Sequence, residues 1–324
     1  MKRVVIGIDT SNYRTSAAAV TEDGEILLND RELLPVPAGE RGLRQSEAVF
    51  AHIRRFSSLE ASIRRISASH PMAAVIATDR PCDGEASYMP VFVVGTTIGK
   101  MMAAAAGVPF FTTTHQRSHL AAAAAGTELA DRGEMMAMHL SGGTTDMLLL
   151  RGDEVRRIGG SEDLHAGQLV DRAGVAMGLP FPSGPALEKL AGAGISRGRL
   201  GCSMEKGDLR CHLSGAETQV SRWIRDGAMP EADIAREIYD LLARTFSRMA
   251  AAGARETGLD RILITGGIAS SALFRDLLTE RLGKTRNAPK AVFGSSELSG
   301  DNAVGTARIG FQKLTAAEQQ PEMN

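Results

Sequence analysis

Two histidines four residues apart, His115 and His119, are the residues of this chain whose type and spacing best suit chemistry. They stand at the start of an alanine-rich run, 120–125, that is predicted to be helical. Residues four apart share a helix face, so both imidazoles can bind one metal ion. A third ligand must come from elsewhere in the fold, and a carboxylate such as that of Asp301, far downstream, suits zinc and ferrous iron equally well. The alternative is that both histidines are solvated or packed in a core.

The elements that must position these residues predict an α/β fold. A β-branched run, 4–8, leads into a polar loop that begins at Asp9, and a hairpin over 15–28 follows. The pattern recurs in the middle of the chain, where the apolar strand 136–140 ends at the turn 141–146. Two such units in successive halves predict a duplicated architecture with a ligand between two lobes.

Glycine and hydroxyl residues follow three of the apolar strands and indicate a phosphate-binding site. Glycine lets backbone N–H groups approach phosphate oxygens closely. The candidates in the second half of the chain are Ser141, Gly142, Gly143, Thr144 and Thr145, and then Gly266 and Gly267. A single Gly-Gly-Thr turn is usually only a turn, but three such turns after strands favour nucleotide binding. Asp9 either organises a metal-bound phosphate or water, or caps its own turn.

Apolar residues at helical spacing predict long helices between these strands, over 45–66, 95–106, 232–257 and 301–314. Asp301 therefore stands near the N-terminus of the last helix. The six residues after 318 are predicted to form a frayed tail.

The composition is that of an ordinary globular enzyme, long enough for two cores. The chain has 324 residues, of which 43% are hydrophobic and 23% charged, and a formal net charge of −1. Such a chain has no overall excess of positive charge, so binding of an RNA substrate would need a local basic patch or a partner protein. Three cysteines without CxxC spacing indicate a reduced, cytoplasmic setting. No segment has the pattern of a signal peptide or a membrane span.

Collinear motifs give the chain a resemblance that covers essentially its whole length. In order they are Gly7–Ser11, Val94–Thr97, the pair His115 and His119, Ser141–Thr145, Ala166–Asp171, Pro182–Pro185, Ser214–Gly215, Gly266–Ala269 and Ser299–Ala303. In these motifs the chain resembles the TsaD family, also called glycoproteases, of tRNA threonylcarbamoyladenosine synthases. The peptidase label finds no support, since no HExxH motif places a glutamate beside a metal-bound water.

The resemblance implies a two-lobed, ribonuclease H-like fold of the actin-like, sugar-kinase and heat-shock ATPase superfamily. The first actin-like lobe is expected over 1–113 and is completed by the C-terminal helix, 301–324. The second lobe is expected over 114–300 and carries the nucleotide-binding turns.

The resemblance also implies a site and a reaction. His115, His119 and Asp301 are expected to hold one divalent metal ion, iron or zinc. The residues expected to bind threonylcarbamoyl-adenylate, a substrate derived from ATP, are Ser141, Gly142, Gly143, Thr144, Thr145, Asp171, Gly184, Gly266, Gly267 and Ser271. The N6 amine of an adenosine in tRNA attacks the acyl carbon and AMP leaves, while the metal polarises the carbamoyl group as a Lewis acid. The expected partners are tRNA and other proteins of the threonylcarbamoyl pathway, with no membrane involved.

Several positions depart from the family's pattern. Thr144 replaces the histidine of its Ser-Gly-Gly-His-Thr loop, Glu217 replaces the lysine of its Ser-Gly-Leu-Lys-Thr segment, and Ser271 replaces an asparagine. They leave two alternatives open, both of them divergent paralogues. One is a nucleotide-dependent small-molecule kinase or ATPase, with Asp9 or Asp171 as its base. The other is a non-catalytic nucleotide-binding partner protein.

Overall fold

The computed structural model of the chain contains two compact units, each built around one mixed β-sheet. It describes residues 1–11, 14–35, 43–83, 89–204, 207, 209–295, 297–298, 300 and 302–319. The first unit comprises Met1–Ala125 and Glu297–Asn324, and the second comprises Gly126–Ser296. The predicted α/β fold class is confirmed.

Helices and strands alternate in both units, as the sequence pattern predicts. The first unit contains β1 (Val4–Asp9), β2 (Arg14–Thr21), β3 (Ile26–Leu33), α1 (Gln45–Ser69), β4 (Met72–Arg80), α2 (Val91–Ala106), β5 (Phe110–Thr114), α3 (His115–Ala124) and the last helix, α9 (Val304–Gln319). The second contains β6 (Glu134–Leu140), β7 (Thr145–Arg151), β8 (Glu154–Ser161), α4 (Ala166–Ala176), α5 (Gly184–Ala191), β9 (Arg210–Cys211), α6 (Ser214–Arg225), α7 (Glu231–Thr257), β10 (Arg261–Thr265), a 3₁₀ helix (Gly267–Ser270), α8 (Ala272–Gly283) and β11 (Lys290–Phe293).

The two sheets have the same topology, which confirms the predicted duplication. The first sheet has the strand order β3-β2-β1-β4-β5, and the second has β8-β7-β6-β10-β11 with β9 added beside β8. In each sheet the first three strands form an antiparallel meander, and the last two run parallel to the first strand of the meander. The parallel strands are joined by helical connections, as this pairing requires.

The first sheet is covered on both faces. Because side chains alternate along a strand, Val5 of β1 points to one face and packs with Ile309 of α9. Its neighbour Ile6 points to the other face and packs with Ile66 of α1 and Ala103 of α2. All six residues of β1 are buried, which is the pattern of a central strand with helices on both sides.

The core of the second unit is built around α7, its longest helix. Tyr239 and Phe246 of α7 are fully buried, and the Phe246 ring meets the Phe274 ring of α8 edge to face with centroids 6.3 Å apart. Burying each such side chain stabilises the unit by about 1.5–3 kcal/mol relative to leaving it exposed. No helix among the described residues is long and apolar enough to cross a membrane.

Two helices begin elsewhere than the sequence pattern predicts. The pattern predicts a start at Gly95, but α2 begins at Val91 because Pro90, which cannot donate a backbone hydrogen bond, stands at its N-cap. Helix α9 begins at Val304, three residues after the predicted start. The buried Asn302 side chain accepts a hydrogen bond from Val304 N at 3.0 Å and so caps this end.

The histidine-bearing helix α3 lies in the first unit because it packs against α9. The hydroxyls of Ser118 and Thr306 are 2.7 Å apart. Gly305 lies directly on the backbone of α3, where a Cβ atom would overlap the Ser118 carbonyl oxygen and lie 2.6 Å from Ala122 N. The units therefore divide after Ala125, whereas the predicted lobe boundary lies between residues 113 and 114.

We expect Gly305→Ala to lower the free energy of unfolding of the first unit by about 1–3 kcal/mol, the usual cost of overpacking. The added methyl group meets backbone atoms of α3, and these cannot move aside as the end of a side chain could. Urea denaturation followed by circular dichroism measures the change.

The matched control is Gly283→Ala, in α8, where a Cβ atom has no neighbour within 4 Å. There alanine raises helix propensity, so the control is expected to unfold at the same or a higher urea concentration. Equal unfolding midpoints for the two variants would contradict the proposed contact between α3 and α9.

Candidate functional site

A buried carboxylate, Asp9, ends the central strand β1 of the first unit. Its side chain is 1% exposed. Asp9 Oδ1 accepts hydrogen bonds from Ser11 N at 2.9 Å and from the Thr78 hydroxyl, at the end of β4, at 3.0 Å. Asp9 Oδ2 lies 2.6 Å from His115 Nδ1. Burying a carboxylate costs little only when its oxygens are hydrogen-bonded, so these partners hold Asp9 in one orientation.

The two histidines occupy the first turns of α3. Thr114 caps this helix by accepting a hydrogen bond from Arg117 N at 3.2 Å, which places His115 at the first helical position. His119 follows one turn later on the same face, and the two Nε2 atoms are 2.9 Å apart. The rings meet edge to face with their centroids 4.3 Å apart. The two rings therefore lie on one helix face, as the spacing of His115 and His119 predicts.

This arrangement fits a metal site. An ionised carboxylate only accepts hydrogen bonds, so Asp9 keeps the His115 proton on Nδ1 and leaves the lone pair on Nε2. Metal–nitrogen bonds of about 2.0–2.1 Å place two ligand nitrogens about 2.9–3.4 Å apart at octahedral and tetrahedral angles. The observed separation of 2.9 Å matches the octahedral value, and it is also the distance of a hydrogen bond between the two rings. A carboxylate that orients a ligand histidine is also a common feature around metals in proteins.

The third predicted ligand, Asp301, lies outside the described residues. Within them, no group of three or more histidine, cysteine, aspartate or glutamate side chains is placed to hold one ion. The neighbours of Asp301 in sequence belong to the first unit, as the histidines do. Asn302 is 3% exposed, and its side-chain amide donates to the carbonyl oxygens of Leu298 at 3.0 Å and Gly300 at 2.7 Å.

The predicted phosphate-binding turn of the second unit connects β6 to β7. Ser141 organises it, because its hydroxyl accepts hydrogen bonds from Gly143 N at 3.3 Å and Thr144 N at 3.0 Å. Gly142 and Gly143 are exposed, and a Cβ atom on either would have no neighbour within 4 Å. Their backbone is thus open to a ligand.

Helix α4 starts against this turn. Gly167 N donates to Ser141 O at 3.0 Å, and a Cβ atom at Gly167 would lie only 2.5 Å from Gly142 N. The Thr145 hydroxyl is 1% exposed and accepts a hydrogen bond from Ala166 N at 2.8 Å. Thr145 therefore holds the first turn of α4, while Thr144 beside it is partly exposed.

Asp171 of α4 and Gly184 of α5, two other predicted ligand-binding residues, lie on either side of Ser183. Asp171 Oδ1 accepts a hydrogen bond from Ser183 N at 2.8 Å. Gly184 offers its carbonyl oxygen to the Tyr239 hydroxyl at 3.1 Å. Burial raises the pKa of Tyr239 above its usual value, so this hydroxyl keeps its proton and acts as a donor.

The late glycine turn approaches the first one. Gly266 has a φ of 96°, and a Cβ atom there would overlap the Leu140 carbonyl oxygen just before Ser141, so only glycine fits. Ser271, which replaces the family's asparagine, is 7% exposed and caps α8 by accepting a hydrogen bond from Phe274 N at 3.1 Å. Glu217, another of the replacements, lies in the first turn of α6 and accepts a hydrogen bond from the Ser221 hydroxyl at 3.4 Å.

Sequence reasoning missed the residues that support these groups. Thr78 and Tyr239 carry no motif, and each contacts a site residue far away in the chain. Glu188 accepts a hydrogen bond from Leu273 N at 2.9 Å and so ties α5 to the start of α8. The sequence indicates Asp9 as a turn acid, but nothing in it indicates the contact with His115, 106 residues away.

The repeated sheets define an α/β protein of the actin-like ATPase-fold class. The structure of T. kodakarensis HypF is similar, with a TM-score of 0.63 and 16% identity over 98% of this chain and 48% of that one. The chain thus spans about half the length of that HypF protein. A glucokinase of the ROK family from Streptomyces griseus superimposes with a TM-score of 0.53 and 15% identity, over 94% of this chain and 98% of that one.

Within this class, residues 87–307 match the family model described as TsaD, tRNA N6-adenosine threonylcarbamoyltransferase, and the chain belongs to that acyltransferase family. A protein of that name from Chlorobium luteolum is 27% identical over 98% of this chain and 94% of its own length. Another from Methanopyrus kandleri is 28% identical over 95% of this chain and 87% of its own length.

We expect Thr145→Val to lower the free energy of unfolding by about 1–2 kcal/mol. Valine keeps the shape of threonine but leaves the Ala166 N–H without its acceptor in a buried place. The midpoint of urea denaturation measures the effect.

Thr144→Val is the matched control, because it makes the same chemical change at the preceding residue, which is partly exposed. Its effect is expected to stay within about 0.5 kcal/mol. A control that destabilises the protein as much as Thr145→Val would contradict the assignment of Thr145 as the residue that holds α4.

Proposed function

We propose that this chain transfers a threonylcarbamoyl group from threonylcarbamoyl-adenylate to N6 of an adenosine in tRNA, and that it does so with one divalent metal ion. His115, His119 and Asp301 are the proposed metal ligands, and iron or zinc is the proposed metal. Membership of the TsaD family supports the reaction. The names of the two curated relatives agree with it.

The observation that carries the proposal is the convergence of the two imidazole Nε2 atoms at 2.9 Å. Asp9 binds the other ring nitrogen of His115, which directs the Nε2 lone pair of this histidine toward the point where the two rings meet. A phosphoryl-transfer enzyme of the same fold class uses carboxylates and magnesium and does not need such a pair. The pair therefore favours the acyltransferase over the kinase alternative.

The glycine turns of the second unit are the proposed nucleotide site. The exposed backbone of Gly142 and Gly143 leaves open space in which a phosphate group could approach the turn. The Ser141 hydroxyl stabilises this turn by accepting a hydrogen bond from Thr144 N, and Gly167 allows α4 to approach the turn. We assign Gly266, Gly267, Asp171 and Gly184 to the same site, because hydrogen bonds and close packing join their segments.

In the proposed reaction the adenosine N6 amine attacks the carbamoyl carbon of the adenylate. A carbon–nitrogen bond forms, the bond from that carbon to the AMP phosphate oxygen breaks with its electron pair leaving on AMP, and the proton that the amine loses passes to solvent. A bound metal supplies Lewis-acid polarisation of the group under attack. Asp9 keeps His115 in the tautomer that binds.

Unmodified tRNA is the proposed acceptor, and the other proteins of the threonylcarbamoyl pathway are the proposed partners. The cytoplasmic location expected from the cysteines belongs to the same proposal. Ser271 and Thr145 are assigned a supporting role at the nucleotide site, because the hydroxyl of each is used by a helix start.

We expect the metal-loaded chain, supplied with the partner proteins, to transfer labelled threonylcarbamoyl from its adenylate to unmodified tRNA, and His115→Ala to abolish this transfer. The variant removes one of two converging ligands. Radiolabel retained by precipitated tRNA measures the reaction. Transfer by a metal-free preparation would sink the metal assignment, and no transfer by a folded, metal-loaded protein would sink the proposed substrate pair.

A second prediction tests the orienting carboxylate. We expect Asp9→Asn to weaken Zn²⁺ binding by about 10–100-fold, as is usual when the partner of a ligand histidine is changed. Competition with a chromogenic chelator measures the affinity without any assay of activity.

The control is Asp23→Asn, which removes the same charge from the same unit at an exposed turn. Its Zn²⁺ affinity is expected to equal that of the wild type. An Asp9→Asn variant that binds Zn²⁺ as tightly as this control would show that Asp9 does not orient a ligand.

A further inference from the structure

A positively charged groove lies in the second unit between α7 and the end of α8. It has a volume of about 460 Å³. Ten described residues line it, and four of them carry positive charge: Arg244, Arg248, Arg281 and Lys284. None of the ten is acidic or aromatic. The groove shares no residue with the predicted nucleotide site.

A buried acid fixes two of the four cations. Asp240 of α7 has a side chain that is 11% exposed, and its two oxygens bind different guanidinium groups. Arg244 Nε lies 3.0 Å from Asp240 Oδ2, and Arg281 Nη2 lies 2.5 Å from Asp240 Oδ1. Arg244 also donates from Nη2 to Leu200 O at 2.6 Å. Both planar groups are therefore held in place before any ligand binds, which lowers the entropy cost of binding.

The other two cations of the groove are exposed. Arg248 is exposed on α7, one turn after Arg244. Lys284 is also exposed, and the pKa of its neighbour Glu280 is lowered by the hydrogen bond from Lys284, with a smaller contribution from Arg281. Among the described residues, only Asp240 and Glu280 form ion pairs with the four cations, so an excess of two positive charges remains within this set.

We infer that this groove, formed by Arg244, Arg248, Arg281 and Lys284, binds phosphate groups of an RNA backbone. Arginine forks and lysine ammonium groups are the side chains that bind phosphates in such complexes. The groove is open and its described lining offers no aromatic ring on which a base could stack, so it suits a backbone better than a free nucleotide. The formal net charge of −1 supports this inference, because RNA can bind a chain without overall positive charge only at a local basic patch. That the RNA is tRNA rests on the proposed function.

The test removes the two exposed cations and keeps the pair that Asp240 fixes. The affinity of the Arg248→Gln/Lys284→Gln double variant for unmodified tRNA is measured by filter binding over a series of salt concentrations. We expect the Kd to rise about tenfold at low salt. The slope of log affinity against log salt is expected to fall in magnitude by about 2, which is about one for each phosphate that the variant no longer neutralises.

The control double variant, Arg222→Gln/Arg255→Gln, removes the same charge from exposed positions on α6 and α7 outside the groove. It is expected to keep the wild-type affinity and salt slope. Equal reductions of affinity in the two double variants would show that only net charge matters and would overturn the proposal.

Two further measurements, of AMP binding and of acyl transfer, separate this proposal from a free-nucleotide site and from the proposed function. AMP binding, measured by calorimetry, is expected to be the same in the wild type and the groove variant. A loss of AMP affinity with unchanged tRNA affinity would mean that the groove holds a free nucleotide phosphate and would overturn the RNA-backbone proposal. If wild-type protein transfers the acyl group and the groove variant binds tRNA normally, the groove proposal fails while the proposed function stands. If the groove binds tRNA as expected but no transfer occurs, the groove proposal stands and the proposed function fails.

Discussion

The hydrogen bond between Asp9 and His115 is the interaction on which the candidate site of the first unit depends. A carboxylate that is 1% exposed is tolerated only with partners on its oxygens, and Asp9 draws them from three segments of the chain. Its own loop contributes Ser11 N, the end of β4 contributes Thr78, and the start of α3 contributes His115. The same contacts that satisfy the buried charge also place one imidazole and choose its tautomer. The hydrogen bonds that stabilise the buried Asp9 carboxylate are therefore the same ones that orient His115.

The elements that carry such contacts are brought together by close backbone packing. In the first unit Gly305 lets α9 lie on α3, and Gly7 lets the start of α9 approach β1, with Ala303 O and Ala307 N each 2.6 Å from the place of a Cβ atom. In the second unit Gly167 plays the same part between α4 and the turn at Ser141. A methyl group at any of these three positions would collide with backbone atoms of the neighbouring segment. These glycines serve packing, whereas Gly142 and Gly143 have open space around them and remain available to a ligand.

The sequence predicts local features well, because each depends on residues that are close in the chain. The run 4–8 is a strand, the turns at Ser141 and Gly266 follow strands, and the spacing of His115 and His119 places both rings on one helix face. The duplicated topology is also visible, since both halves contain a strand, a polar turn and a hairpin. Contacts between distant residues could not be predicted this way. No periodicity links Asp9 to His115, and the assignment of α3 to the first unit follows from its packing on α9, which local pattern cannot show.

The three departures from the family's pattern differ in the structural role of each position. Ser271 replaces an asparagine, and both residues are good N-caps, so the start of α8 keeps its hydrogen bond and only a side-chain amide is absent. Thr144 replaces a histidine beside Thr145, whose hydroxyl the fold does use. Glu217 replaces a lysine in the first turn of α6, where an acid suits the positive end of the helix dipole. Each replacement is compatible with the local structure. The residues that hold the turns and helix starts in place therefore continue to specify the fold at these positions.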